Sequence, residues 1–245
     1  MISEDEMKYM SSKGAIVVLI VLSLSIIPSG CSSFRNFTGK WVMNIGRVEF
    51  VQKGSEITGV IEGYGGNWHE SFQGTVNGNE ATFSTDWFGD FTLVIDGDRI
   101  RSKSTDVSFC GTRRDVTEEL PEGCGFSGKW MVALNPAYAE QTKGVPPPIP
   151  VIPEGAYMIL TQTAENVTGN MYGGDGKVFD SITGKVNWGK GWKMDGSATI
   201  GKATFIINAA ETGIEMIFGT GYASQFCAVR DGVPSAYIIF FTCKP

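Results

Sequence analysis

The sequence predicts an all-β chain built from two tandem antiparallel meanders behind an export segment. Three observations carry that expectation. Glycine supplies 32 of 245 residues, about twice the usual ~7%, and short alternating apolar and polar runs recur between turn residues, as half-buried strands require. A set of sequence blocks occurs twice in one order, which is how a duplicated unit reads. The five cysteines divide as one near the amino terminus and two in each copy.

The first element is the export segment. Ala15 to Pro28 is an uncharged run of 14 residues preceded by Lys8 and Lys13. It is short of the ~20 apolar residues that a membrane span needs and suits the apolar core of a secretory signal. Ser29 and Gly30 directly before Cys31 resemble the lipobox of prokaryotic lipoproteins. That resemblance implies cleavage before Cys31 and a diacylglycerol on its sulfur. Residues 1–30 would then be signal peptide and 31–36 a tether, leaving a cell-envelope lipoprotein in the outer membrane of a diderm host or at the cell surface otherwise. An uncleaved anchor and plain secretion are the alternatives.

The first repeat begins with Phe37-Thr38-Gly39-Lys40-Trp41, which returns as Phe126-Ser127-Gly128-Lys129-Trp130. Glu56-Ile57-Thr58-Gly59 answers to Asn166-Val167-Thr168-Gly169, and Gly74-Thr75-Val76-Asn77 to Gly184-Lys185-Val186-Asn187. Phe109 to Arg113 answers to Phe226 to Arg230. The repeats divide as 37–124 and 125–245. Between the blocks lie alternating runs at 48–51, 57–61, 75–76, 81–83 and 91–95, then at 157–162, 167–172, 182–188, 203–208 and 214–220. Lys53-Gly54, Asn77-Gly78-Asn79 and Asp96-Gly97-Asp98 supply the positive φ of hairpin turns, so successive strands pair with their sequence neighbours. Four cysteines allow three pairings, and repeat symmetry selects Cys110–Cys124 and Cys227–Cys243. Residues 136–154 form an insertion holding six of the ten prolines, expected as a stiff, extended surface loop because proline lacks a backbone donor.

The early Gly-x-Trp (Gly39 to Trp41, Gly128 to Trp130) and the late arginine of each copy (Arg113, Arg230) resemble the lipocalin and avidin-like, or calycin, barrels. The resemblance implies that each meander closes into an up-and-down barrel, with the arginine packed across the tryptophan at the closed end: Trp41 with Arg113, for which Arg114 competes, and Trp130 with Arg230. A barrel as small as the first copy has an interior that side chains fill. One larger barrel formed jointly by both repeats is the alternative.

Composition narrows the function. With 20 basic and 26 acidic side chains and a formal charge of −6, the chain lacks the clustered basic face that nucleic acid demands. One histidine, His69, offers no partner for a metal or triad, and no cofactor or metal is expected. Gly196 to Lys202 has phosphate-loop spacing but ends at Ala203 and reads as a turn. Asp86 and Asp90 are the acids on which a carbohydrate-active hydrolase would rest. Tyr64, Trp68, Trp87, Tyr172, Trp188 and Trp192 fall near loops or strand ends and are the candidate ligand-contact aromatics. The expected role is a non-enzymatic extracytoplasmic binding module for a small apolar or glycan ligand or for an envelope protein, held to the membrane through Cys31. A hydrolase and a structural surface spacer are the alternatives.

Overall fold

The structure, a computed structural model, describes residues 36–66, 68–104, 106–141, 143, 152–187, 193–198, 201–219 and 225–233. Cys31, Cys243, Trp188, Trp192 and much of the proline-rich insertion lie outside them. The first meander comprises β1 (Gly39–Met43), β2 (Gly46–Lys53), β3 (Glu56–Gly63), β4 (His69–Asn77), β5 (Glu80–Thr85), β6 (Gly89–Asp96), β7 (Arg99–Ser102) and β8 (Cys110–Arg113). The second comprises β9 (Gly128–Leu134), β10 (Tyr157–Thr163), β11 (Asn166–Tyr172), β12 (Val178–Asn187), β13 (Lys193–Ala198), β14 (Gly201–Ile207), β15 (Gly213–Phe218) and β16 (Phe226–Arg230). Each closes on itself as an eight-stranded antiparallel barrel, β1 on β8 and β9 on β16. Two separate closures exclude the single wide barrel.

The repeated blocks occupy equivalent strands. Trp41 faces Arg113 across the first closure and Trp130 faces Arg230 across the second. Strand alternation is regular on β3, where Ile57, Gly59, Ile61 and Gly63 turn inward. The two interiors differ in chemistry. Phe37, Phe50, Phe83 and Phe109 dominate the first, whereas Met158, Met171, Met194 and Met216, each at most 1% exposed, fill much of the second.

Three local expectations need correction. The insertion opens not as extended chain but as a short helix, α1 (Pro136–Gln141); Pro136 suits its first turn, where the missing N–H has no partner to lose, and Ala139 N–H reaches Asn135 O at 2.9 Å. Gly196 to Ala198 is strand β13 rather than turn, because the ladder with β14 runs to Ala198–Gly201. His69 belongs to β4, exposed and opposite Glu62, rather than to a loop.

The barrels stack end to end. In the first, the β1–β2 turn, the β3–β4 turn and the segment before β8 lie at the end away from Trp41. In the second, the turns containing Ala164-Glu165 and Glu211 lie at the Trp130 end. These two ends meet. Arg47 pairs with Glu165 at 2.8 Å, Asn44 donates to the Glu211 carboxylate, and Ser108 N–H reaches Ala209 O at 2.8 Å. Val42 and Tyr64 of the first barrel are buried in the second barrel's core cluster, with Leu120, Cys124 and Phe126 of the connecting segment. That segment is also stitched to β10: Leu120 N–H donates to Gln162 O at 2.8 Å and Phe126 N–H to Gln162 Oε1 at 3.0 Å.

The aromatic mouth of the first barrel as candidate functional site

The closed ends are built alike. Arg113 lies 4.5 Å from the centre of the Trp41 ring and Arg230 4.1 Å from that of Trp130. Each indole N–H bonds the carbonyl four residues back, Phe37 O at 2.8 Å and Phe126 O at 2.9 Å. Arg113 donates to Thr38 O and Asn36 O, and Arg230 to Ser127 O and Gly125 O. Arg114, the competitor, instead pairs with Glu118 at 2.7 Å. Both indoles are fully buried, so side chains plug these ends.

The opposite end of the first barrel is different. Among the described residues, the second barrel meets it at the β1–β2 turn, at β2, at the turn after β3 and at the segment before β8, and the β4, β5 and β6 side is the one away from these contacts. There a chain of rings runs out from the core. Phe72 meets Phe83 edge-on at 5.0 Å, Phe83 lies 5.3 Å from Phe91, Phe91 reaches Phe109 at 4.9 Å, Phe109 reaches Phe88 at 5.0 Å, and Phe88 reaches Trp68 at 5.6 Å. Two inward glycines of β3 make the space. A side chain at Gly59 would come within 2.4 Å of the Phe72 ring, and one at Gly63 within 2.7 Å of the Trp68 ring. Trp87, 74% exposed, stands on the β5–β6 turn beside Phe88.

One carboxylate enters this apolar setting. Glu70 is an inward position of β4, two residues from Trp68 and two from Phe72. It receives the backbone N–H of Asp86, while its Oε2 is buried with no hydrogen-bond partner. Burial, with the nearby Asp86 charge adding to it, raises the carboxyl above its ordinary range. The β4–β5 ladder ends at Gln73–Ser84, so the strands part beside Glu70. Glu70, Phe72 and Thr85 then form a partition. On its inner side is a void of about 20 Å³, room for roughly one water; on its outer side is an open groove of about 430 Å³.

The four described candidate aromatics do not form one platform, and Trp188 and Trp192 lie outside the described residues. Trp68 and Trp87 are at this mouth. Tyr64 is not a ligand contact: it is 2% exposed, sealed under the second barrel, with its hydroxyl donating to Met43 O at 2.8 Å. Tyr172 stacks on Tyr157 at 4.9 Å on the second barrel's wall. Of the acids, Asp86 is at the mouth, whereas Asp90 sits exposed on β6 opposite Ser84 and Asp98 pairs with Arg113 at 3.4 Å. Glu70 was missed by reading the acids as pairs. Its signal was an acidic residue at an inward position in Trp68-His69-Glu70-Ser71-Phe72.

The Cys110–Cys124 disulfide is formed across 14 residues. Cys227 is also disulfide-bonded, and Cys243 lies beyond the described residues. Among the described residues no three His, Cys, Asp or Glu side chains gather as a metal site, and no helix is long and apolar enough to cross a membrane.

No family description and no curated protein matches the chain. Among solved structures, the DNA polymerase III subunit beta of Pseudomonas aeruginosa is similar at 11% identity with a TM-score of 0.17, over 82% of this chain and 60% of that one. A ligand-bound DNA polymerase sliding clamp from the same organism gives 10% identity and the same score and coverage. This chain thus spans 60% of the length of each.

Proposed function

We propose that this protein is an envelope-anchored, non-enzymatic binding module of calycin-like design, carried on a lipid at Cys31, and that it takes a small apolar or glycan ligand at the mouth of the first barrel. The observation that supports this reading is the aromatic chain that runs from the core to Phe88 and Trp68 at that mouth, with the exposed Trp87 next in sequence to Phe88. Exposed aromatic surface next to a polar group is where proteins bind amphipathic ligands. The interior is too full to be a deep cup, so binding is shallow and uses the mouth and the groove beside Glu70.

The test is titration of the full-length chain with neutral alkyl and oligosaccharide probes, followed by tryptophan fluorescence. Trp87→Ala and Phe88→Ala should each weaken the preferred probe by about tenfold, the scale of one well-packed ring, and Tyr172→Ala should leave it unchanged. Equal binding by all of these proteins would overturn the site. Mass analysis of the mature amino terminus tests the anchor, which an unmodified Cys31 would remove.

One feature favours a second reading, a carbohydrate-active hydrolase: Glu70 and Asp86 meet at a single rim. That reading expects release of reducing sugar that Asp86→Asn abolishes, while the binding reading expects none from either protein.

A further inference from the structure

Resting on the ligand-binding reading above, we propose that the void beside Glu70 receives the ammonium group of a primary alkylamine whose chain leaves past Phe72 and Thr85 into the outer groove. Three observations carry it.

The first is the unmet acceptor. Glu70 Oε2 is buried without a hydrogen-bond partner, and a desolvated carboxylate oxygen left unpaired is expensive. Among the described residues, those lining the inner void and the outer groove include Glu70 and Asp86 but no Lys or Arg, so no counter-charge lines either one. A donor carrying positive charge is the complement.

The second is size. About 20 Å³ is left, which fits one water-sized group. A primary ammonium is of that size and brings three donors. A quaternary ammonium, with its carbon shell, is several times larger and has no N–H to give. Thr85 also lines the void; its hydroxyl takes Phe88 N–H at 3.0 Å and keeps a lone pair for a second ligand donor.

The third is the lining. Trp68, Phe72, Phe88 and Phe91 surround the void, and aromatic faces attract a cation most strongly when water is excluded. The alkyl chain then leaves past Phe72 and Thr85, which border both the void and the outer groove. Burial raises the Glu70 carboxyl, and a bound ammonium would reverse that shift.

The experiment is calorimetric titration of the full-length chain at pH 7 with three probes sharing one tail: hexylamine, hexan-1-ol and hexyltrimethylammonium. Hexylamine should bind more tightly than either of the others by about tenfold, the scale of a charge-assisted hydrogen bond. Glu70→Gln should remove that advantage and leave hexanol within about twofold of wild type. Glu70→Asp, which keeps the charge but withdraws it by one methylene, should fall between. Equal binding of hexylamine and hexanol, with both lost in Phe88→Ala, would overturn the ammonium assignment while keeping the apolar mouth; the void would then hold only water. Preference for the quaternary probe would overturn it on size. No binding by any probe would overturn both this proposal and the reading on which it rests.

Discussion

Arg113 and Arg230 hold equivalent positions but different burdens. Both cover a buried indole, an attraction of about 1–2 kcal/mol when water is excluded. Arg113 bonds two carbonyls and leans on the exposed Asp98, so water can replace part of what it does. Arg230 donates to three carbonyls, those of Gly125, Ser127 and Glu211, each at 2.7 Å. A lysine cannot reach three acceptors with a planar fork. Arg230→Lys should therefore cost about 2–3 kcal/mol through unsatisfied carbonyls, and Arg113→Lys less than about 1 kcal/mol, measured by urea unfolding. Glu70 shows the opposite balance. Its carboxyl is raised by burial, so removing the charge relieves a cost, and Glu70→Gln should unfold at an equal or higher temperature than wild type at pH 7. A residue that weakens the fold where it stands is a candidate for function rather than for architecture.

Among the elements, the strands were legible where alternation was strict. Ile57, Ile61, Ala81, Phe83, Leu93 and Ile95 all face inward as their spacing required. The duplication was legible because it is written in residue identity, and its blocks fall on matching strands. β13 was not, since Met194-Asp195-Gly196-Ser197-Ala198 carries glycine and serine where a strand usually places branched side chains; its ladders with β12 and β14 override that propensity. The start of β4 was hidden by the glycines before it. The disulfide was readable from symmetry, and its consequence is calculable. Closing 14 residues removes loop entropy from the unfolded chain worth about 3 kcal/mol. Cys110→Ser with Cys124→Ser should lower stability by about that amount, seen as a shift in denaturant midpoint with little change in slope. The connecting segment is already bonded to Gln162, so the loss should appear in unfolding of both barrels.

For the whole molecule, the consequential feature is the junction, and almost none of it was legible. Val42 and Glu211 carried no signal in the sequence, and Tyr64 read as a candidate ligand contact. Together they pack one side of the first barrel's mouth against the second barrel. Glu211 adopts φ 56°, a left-handed conformation that residues other than glycine take rarely. Its carboxylate receives Asn44 Nδ2, Ser108 Oγ at 3.2 Å and Gly125 N–H at 2.8 Å, so one side chain ties together the first barrel, the connecting segment and the second. Burial, the largest influence, raises its carboxyl, although Arg230 and the hydrogen-bond donors pull the other way. A carboxyl whose folded value lies above its unfolded one gives stability that is complete below the unfolded value and is lost as pH rises through the folded one. Relative to Glu211→Gln, wild type should thus become more stable as the pH is lowered from neutrality toward about 4.5, the ordinary carboxyl value. Glu211→Gln also turns an amide donor toward three donors, a mismatch worth about 1–3 kcal/mol. The Arg47–Glu165 pair is a third exposed on both sides and adds at most about 1 kcal/mol. Calorimetry of wild type should therefore give one cooperative transition, with equal calorimetric and van't Hoff enthalpies. Glu211→Ala with Tyr64→Ala should split it into two, because the barrels then share little beyond the connecting segment. A single transition in that variant would mean that the segment alone couples the barrels.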